Sequence, residues 1–311
     1  MPRRIKIDFV DFWNNWNKTD NYFFNLLSTR YQVEVSDDPD FVFYSVWGFN
    51  HLKYKCPRIF YTGESVRPDF DYCDYAFSFD FIDDPRHYRL PLYATYIDPY
   101  ELERHDIDAE RIADTKTKFC SFVVSSPRGK ERFEFFDKLS RYKQVHSGGK
   151  YMNNIGGPIP PDYAAKLAFV KDYKFIIGYE NTSYPGYTTE KILDAMRVNS
   201  LGLYWGNPLV QRDFNTRSFL NRHEFASDDD FIARIAELDN DKYKYMEYLR
   251  EPYYHGNRVN EFVKPENVLK QFDYIFNDDK KPVAQDRAVQ AKILMGKVKR
   301  KLRRIVTGAK P

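Results

Sequence analysis

Residues 174–208 read KFIIGYENTSYPGYTTEKILDAMRVNSLGLYWGNP, and this stretch decides the fold class. Lys174-Phe175-Ile176-Ile177-Gly178-Tyr179 is a short, mostly apolar run that predicts a buried strand. A polar loop with Pro185 and Gly186 follows over residues 180–187. A helix is expected to open near Thr188, a candidate N-cap, with Glu190 in the first turn where the helix dipole favours negative charge. Ile192, Ala195, Met196 and Asn199 recur at i, i+3, i+4 and i+7, giving a mostly apolar face suited to docking on a sheet. Leu201-Gly202-Leu203-Tyr204-Trp205 is a second buried strand. Strand, loop, helix and strand in this order predict a parallel sheet covered by helices.

The same rhythm extends outward. Upstream, residues 5–10, 31–35, 41–46, 58–64 and 75–79 read as short strands, with a helix over 21–29. A polar helical stretch over about 99–118 reads as a connection. The rhythm restarts with a strand at 119–124 and a helix at 130–142, and helices over 228–238, 242–249 and 265–276 close the folded body. The expected architecture is α/β, with two Rossmann-like domains facing a cleft. They span residues 1–112 and 113–278, and a basic tail follows over 279–311. Ligands of such sheets bind at the carboxyl ends of the strands, which makes Glu64, residues 125–132 and residues 180–191 candidates.

Composition narrows the function classes. The chain has 311 residues, 42% of them hydrophobic, enough for real cores and against wholesale disorder. No run approaches the apolar length of a membrane span, and Asp8 and Asp11 interrupt the basic N-terminus before any apolar core of a signal peptide. The expected location is therefore cytoplasmic. Three scattered cysteines, Cys56, Cys73 and Cys120, fit a reducing compartment. The net charge of +3 is misleading, because residues 287–311 hold nine Lys/Arg and no acid, leaving 39 bases against 45 acids before them. A body with a net charge of −6 argues against a nucleic-acid partner.

Several signals carry less. Asp37-Asp38-Pro39-Asp40 and the acids of residues 80–84 read as surface-turn chemistry rather than metal ligands. The histidines show no metal-ligand spacing, although His146, just before Ser147-Gly148-Gly149, is a secondary candidate for the cleft.

The loop after Tyr179 concentrates hydrogen-bond donors beside Lys191 at the start of a helix, the make-up of an anion site. The alternative is a capping acid at Glu190 with Lys191 a solvated base. The segment Glu180-Asn181-Thr182, then Tyr187-Thr188-Thr189-Glu190-Lys191, then an apolar strand and Trp205-Gly206, resembles the donor-binding signature of the α-1,3-fucosyltransferases, glycosyltransferase family 10. Further matches are Tyr61-Thr62-Gly63-Glu64-Ser65, Tyr88-Arg89-Leu90-Pro91-Leu92-Tyr93, and Phe122-Val123-Val124-Ser125-Ser126-Pro127 with Arg132. The likeness covers about residues 5–275 and implies a GT-B fold. It also implies inverting transfer of fucose from GDP-fucose to a hydroxyl of N-acetylglucosamine, or of glucose, in an N-acetyllactosamine- or lactose-type acceptor.

By the same resemblance Glu64 is the general base and Glu190 a carboxylate close to the fucose. Arg132 and Lys191 hold the diphosphate, and Asn181 and Tyr187 contact the donor. The resemblance implies no obligatory cofactor or metal, with Mn²⁺ or Mg²⁺ at most stimulatory. Two departures stand out. Pro68 follows Glu64 only after Ser65-Val66-Arg67, later than the family's turn, and the N-terminal half, where acceptors are chosen, matches least. A different linkage (α-1,4) and a catalytically silent glycan- or nucleotide-binding protein are the alternatives.

The tail reads separately. Ala291, Leu294, Met295, Val298, Leu302 and Ile305 form one stripe of a helical wheel, flanked by Lys292, Lys297, Lys299, Arg300, Lys301, Arg303 and Arg304. This pattern fits an amphipathic helix lying on an anionic membrane surface, peripheral on the inner face. Folding back on the body is the competing expectation.

Overall fold

A computed structural model describes residues 2–286 and 288. Of the expected tail, residues 279–286 and 288 are described, and the stripe of residues 291–305 expected to form its amphipathic helix lies outside the described residues. The strands are β1 (Arg4–Val10), β2 (Gln32–Val35), β3 (Phe41–Tyr44), β4 (Arg58–Tyr61), β5 (Tyr75–Ser78), β6 (His87–Arg89), β7 (Lys118–Phe122), β8 (Val145–Ser147), β9 (Tyr173–Tyr179), β10 (Leu201–Trp205) and β11 (Leu220–Asn221). The α-helices are α1 (Tyr22–Ser28), α2 (Ala109–Thr115), α3 (Lys130–Tyr142), α4 (Tyr163–Val170), α5 (Lys191–Arg197), α6 (Asp228–Asn240), α7 (Lys242–Arg250) and α8 (Pro265–Asn277).

The chain forms two compact units. The first carries a parallel sheet ordered β2-β1-β3-β4-β5-β6. From β1 the chain steps outward to β2 and then to β3 on the other side of β1, so the strand order reverses between β1 and β3. Alternate residues of β1 (Ile5, Ile7 and Phe9) are buried, and Phe23 of α1 packs by its ring edge on Tyr61. The helix α8 also belongs here. Phe272 stacks on Phe77 at 4.7 Å, Phe276 meets Phe41 at 4.7 Å, and Asp273 takes hydrogen bonds from Arg30 and Tyr31.

The second unit carries the parallel sheet β11-β10-β9-β7-β8, reversing between β7 and β9. Phe135, Phe136 and Leu139 of α3 and Phe231, Ile235 and Leu238 of α6 bury one face of it together with Phe122, Phe175 and Leu203. Val170 of α4 and Ala195 of α5 cover Ile176 on the other.

The compact units do not follow the expected boundaries. Residues 265–278 leave the C-terminal domain, because the apolar face of α8 is spent on the first sheet. Residues 91–112 leave the N-terminal domain: Tyr93 packs on Phe214 at 4.8 Å, and the Arg104 guanidinium donates to the carbonyls of Leu249 and Glu251 at 2.6 and 2.8 Å. The expected continuous helix over 99–118 is also broken. A 3₁₀ turn covers Pro99–Leu102, Asp106 takes a left-handed φ of 51°, and Asp108 caps a new start at α2.

Candidate active site

The strand order of the second unit puts its crevice at the carboxyl ends of β7 and β9. Arg132 enters from the first turn of α3, which follows β7, and is buried to 1% exposure. Its Nη1 donates to Asn181 Oδ1 at 2.8 Å and its Nη2 to the carbonyl of Ser126 at 2.6 Å. The Nε–H is buried without a partner among the described residues. Asn181 belongs to the loop after β9, so two of the expected donor-binding residues, from separate strand-to-helix connections, hold each other. Burial works against the guanidinium charge and lowers the Arg132 pKa, an effect that Glu180 and Tyr187 oppose.

The loop after β9 turns on Glu180, a residue to which the sequence reading gave no role. Glu180 has no exposed surface. Its carboxylate accepts the Thr189 N–H and hydroxyl, each at 2.7 Å, and Lys191 Nζ at 3.1 Å. Lys191 Nζ also donates to Thr189 Oγ1 at 2.8 Å and lies 3.7 Å from Glu190 Oε1. Burial by itself lowers the lysine's affinity for its proton. The carboxylates of Glu180 and Glu190 outweigh that and hold the ammonium above its ordinary range. At Glu190 burial raises the pKa, but Lys191 and Lys166 prevail and keep the carboxyl below its usual value.

A second clasp comes from Asn207. Its Oδ1 accepts the Gly186 N–H at 2.7 Å and its Nδ2 donates to Thr188 Oγ1 at 2.9 Å. Gly206 precedes it because a Cβ there would lie 2.3 Å from Glu180 Cγ, leaving no room for any side chain. The Trp205-Gly206-Asn207 segment therefore serves the β9–α5 loop directly. Tyr187 is buried, with its ring edge-on to Phe79 at 5.2 Å.

The helix start differs from expectation. The helix α5 begins at Lys191 with Glu190 as a side-chain-free cap, and Thr188 is no N-cap. The hydroxyl of Thr188 is spent on Asn207 and Asp213 instead. Of the expected face, Ile192, Ala195 and Met196 are buried, while Asn199 lies past the helix end at a φ of 52°. Seven residues make a weak anion-binding terminus, so Lys191 and Arg132 carry the positive potential. His146 pairs in register with Ser121, and its ring meets Tyr173 at the first residue of β9, away from that strand's carboxyl end.

In the first unit Glu64 follows the carboxyl end of β4, half-buried, its N–H donating to Thr62 Oγ1 at 3.0 Å. Among the described residues its carboxylate has no protein donor.

The chain matches the α-(1,3)-fucosyltransferase FucT N-terminal domain over residues 7–96 and the glycosyltransferase family 10 (fucosyltransferase) C-terminal domain over residues 113–272. It is 32% identical over 294 residues to the α-(1,3)-fucosyltransferase FucT of Helicobacter pylori, covering 80% of this chain and 60% of that one. An α-(1,4)-fucosyltransferase of Arabidopsis thaliana is 29% identical over 119 residues, 33% of this chain and 30% of its own. The chain thus spans less than two thirds of the length of these relatives. A crystal structure of an α1,3-fucosyltransferase superposes with a TM-score of 0.78 at 27% identity, covering 92% of this chain and 93% of that one. One described with GDP-fucose superposes with a TM-score of 0.76 at 28% identity, covering 90% and 92%. The expected α/β class of the GT-B kind agrees with these likenesses, and the chain belongs to glycosyltransferase family 10, the fucosyltransferases.

Proposed function

We propose that this chain is an inverting α-1,3-fucosyltransferase. It moves fucose from GDP-fucose to a hydroxyl of N-acetylglucosamine, or glucose, in an N-acetyllactosamine- or lactose-type glycan. The observation that carries the reading is the pair of cations at the reversal of the second sheet. Arg132 and Lys191 are each fixed by neighbouring loop residues and each keep a donor to spare. Among the described residues the Arg132 Nε–H is unpartnered, and Lys191 has two of its three N–H bonds committed, to Glu180 and Thr189.

The chemistry follows from charge. The acceptor oxygen attacks the anomeric carbon and its proton passes to Glu64. The bond to the diphosphate breaks, and its electron pair leaves with GDP. Charge gathers on that diphosphate, where Arg132 and Lys191 meet it with charge-assisted hydrogen bonds. The anomeric carbon becomes electron-poor, and the ionised Glu190 offsets that charge. Asn181 and Tyr187 complete the donor seat, and no metal is obligatory. From the sequence we also infer attachment of the tail to an anionic inner membrane face. Among the described residues no helix is long and apolar enough to cross a membrane.

The test is incubation with GDP-fucose and lactose, N-acetyllactosamine or its β1,3-linked isomer, in EDTA, with products resolved by NMR. An α-1,3 product supports the reading. An α-1,4 product assigns the other linkage, no product with tight GDP binding marks a silent binding protein, and turnover only on adding Mn²⁺ overturns the metal-free chemistry.

A further inference from the structure

Glu190 and Asp194 stand four residues apart, so they share one face of α5, Glu190 at its cap and Asp194 in its first turn. Like charges at this spacing repel. Asp194 is buried to 3% exposure, and its Oδ1 has no hydrogen-bond partner among the described residues. Glu180, also buried, brings a third carboxylate to the cluster through Lys191.

The cation that answers Asp194 comes from another helix. Asp162 caps α4 by accepting the Ala165 N–H at 2.8 Å, and Val170 of that helix packs on Ile176 and Ala195 in the core. Lys166 lies one turn before Val170 and is turned toward the same neighbours. It is ion-paired with Asp194, with its own side chain mostly buried, and its charge also favours the ionised form of Glu190. Arg197, at the other end of α5, is committed elsewhere. Its guanidinium lies over the Tyr163 ring at 5.4 Å and pairs with Glu101 at 3.2 Å. Burial keeps Tyr96 and Tyr163, the phenols facing this cluster, in the neutral form.

The balance of charge decides what Lys191 can do. With Lys166 in place, three carboxylates face two ammonium groups. Lys191 Nζ rests closer to Glu180, at 3.1 Å, than to Glu190, at 3.7 Å. Without Lys166, Lys191 alone would answer Glu180, Glu190 and Asp194. In a site shielded from water, that excess of negative charge opposes an incoming diphosphate.

We propose that Lys166 is a positioning residue for the donor: by balancing Glu190 and Asp194 it leaves Lys191 to the diphosphate. This rests on the proposed transferase reading, and it brings in α4, a helix that otherwise has no share in the donor site.

The experiment is a double-mutant cycle read as GDP affinity by calorimetry. Lys166→Met is expected to weaken GDP binding on the order of tenfold, and Lys166→Arg to hold it near that of the unmodified protein. In a Glu190→Gln background the charge that Lys166 balances is gone, and Lys166→Met is expected to cost only about two- to threefold. The structural cost of unpairing Asp194 is common to both backgrounds and cancels in the cycle. Lys166→Gln, whose amide can still donate to Asp194, takes the place of the methionine variant if that one fails to fold, with the same pattern expected. Equal losses in the two backgrounds, or no loss in Lys166→Met, overturn the proposal. Fucose transfer from GDP-fucose is measured separately. GDP binding that follows the cycle without any fucose transfer keeps the role of Lys166 and overturns the transferase reading. Transfer with equal losses in the two backgrounds does the reverse, and an unmodified protein that binds no GDP overturns both.

Discussion

Lys191 Nζ stands 3.1 Å from Glu180 Oε2, joining the first residue of α5 to a carboxylate that has no exposed surface. The pair does two things at once. It ties the loop of residues 180–190 shut at both ends, and it keeps a cation charged at the strand reversal before any anion arrives. Thr189 is the third member, donating to Glu180 and accepting from Lys191.

Removing Glu180 therefore leaves two Thr189 donors and one Lys191 N–H without their acceptor, while Lys191 keeps Thr189 Oγ1 and the nearby Glu190. Breaking a buried pair in this way costs about 3–5 kcal/mol. Lys191 keeps 20% of its side chain in solvent, so the lower end of that range is expected for Glu180→Ala. Urea unfolding checks it, and a midpoint equal to that of the unmodified protein would show that the pair does not hold the loop.

Glu64 and Arg132 are expected to separate cleanly by calorimetry. Arg132→Ala loses charge-assisted hydrogen bonds to the diphosphate, about 1.5–3 kcal/mol of GDP affinity. Glu64→Ala is expected to bind GDP almost normally and to lose turnover by about 10²–10⁴-fold, the usual worth of a general base. Equal losses of GDP affinity in the two variants would sink the assignment of Glu64 to the acceptor.

Glu190 is expected to contribute to the acid limb of the activity profile. Lys191 and Lys166 favour its charge, while Glu180, Asp194 and Tyr96 are the like-charged or acidic groups facing it. Lys166 stands on α4 and is ion-paired with Asp194, four residues beyond Glu190. With a folded-state pKa below its ordinary value, Glu190 stays ionised as pH falls, and whatever its charge contributes is lost only as pH drops through that lowered value. Lys166→Met removes one of the two cations, so the acid limb of kcat is expected to move to higher pH, while Lys166→Arg leaves it in place. A limb that stays put in Lys166→Met would mean that Glu190 does not set it.

How much of this could be read from the sequence depends on range. The cores of β1–β5, β7, β9 and β10, and α3, follow local apolar pattern, and α1 follows pattern plus its Asn21 cap, so they lie where the residues predict. The candidate residues Arg132 and Asn181 proved to be in contact, as a shared strand reversal requires. What local pattern could not supply was long-range accounting. Thr188 has the chemistry of a cap, but Asn207 and Asp213 claim its hydroxyl. The α8 pattern shows an apolar face without saying which sheet receives it. Glu180 did leave a signal, since a carboxylate directly after a mostly apolar strand needs a partner, and Thr189 and Lys191 are the nearby donors.

Residues 287–311 are expected to bind anionic bilayers and to be dispensable for chemistry. Their sequence pairs an apolar stripe with seven flanking cations, the pattern of a helix lying in a membrane interface. Each cation near an anionic surface contributes about 1 kcal/mol, and salt screens the effect beyond about 8–10 Å. Arg132, Lys191, Glu190 and Glu64 all lie well before the tail, and the second unit ends at Lys264. Truncation after Asp286 is therefore expected to keep turnover on soluble acceptors and to abolish sedimentation with vesicles rich in anionic lipid, an interaction that added salt should also weaken. A tail that instead packs on the body predicts the opposite pattern. The truncated protein would then lose thermal stability and activity together, and the full chain would stay in the supernatant with the same vesicles at low salt.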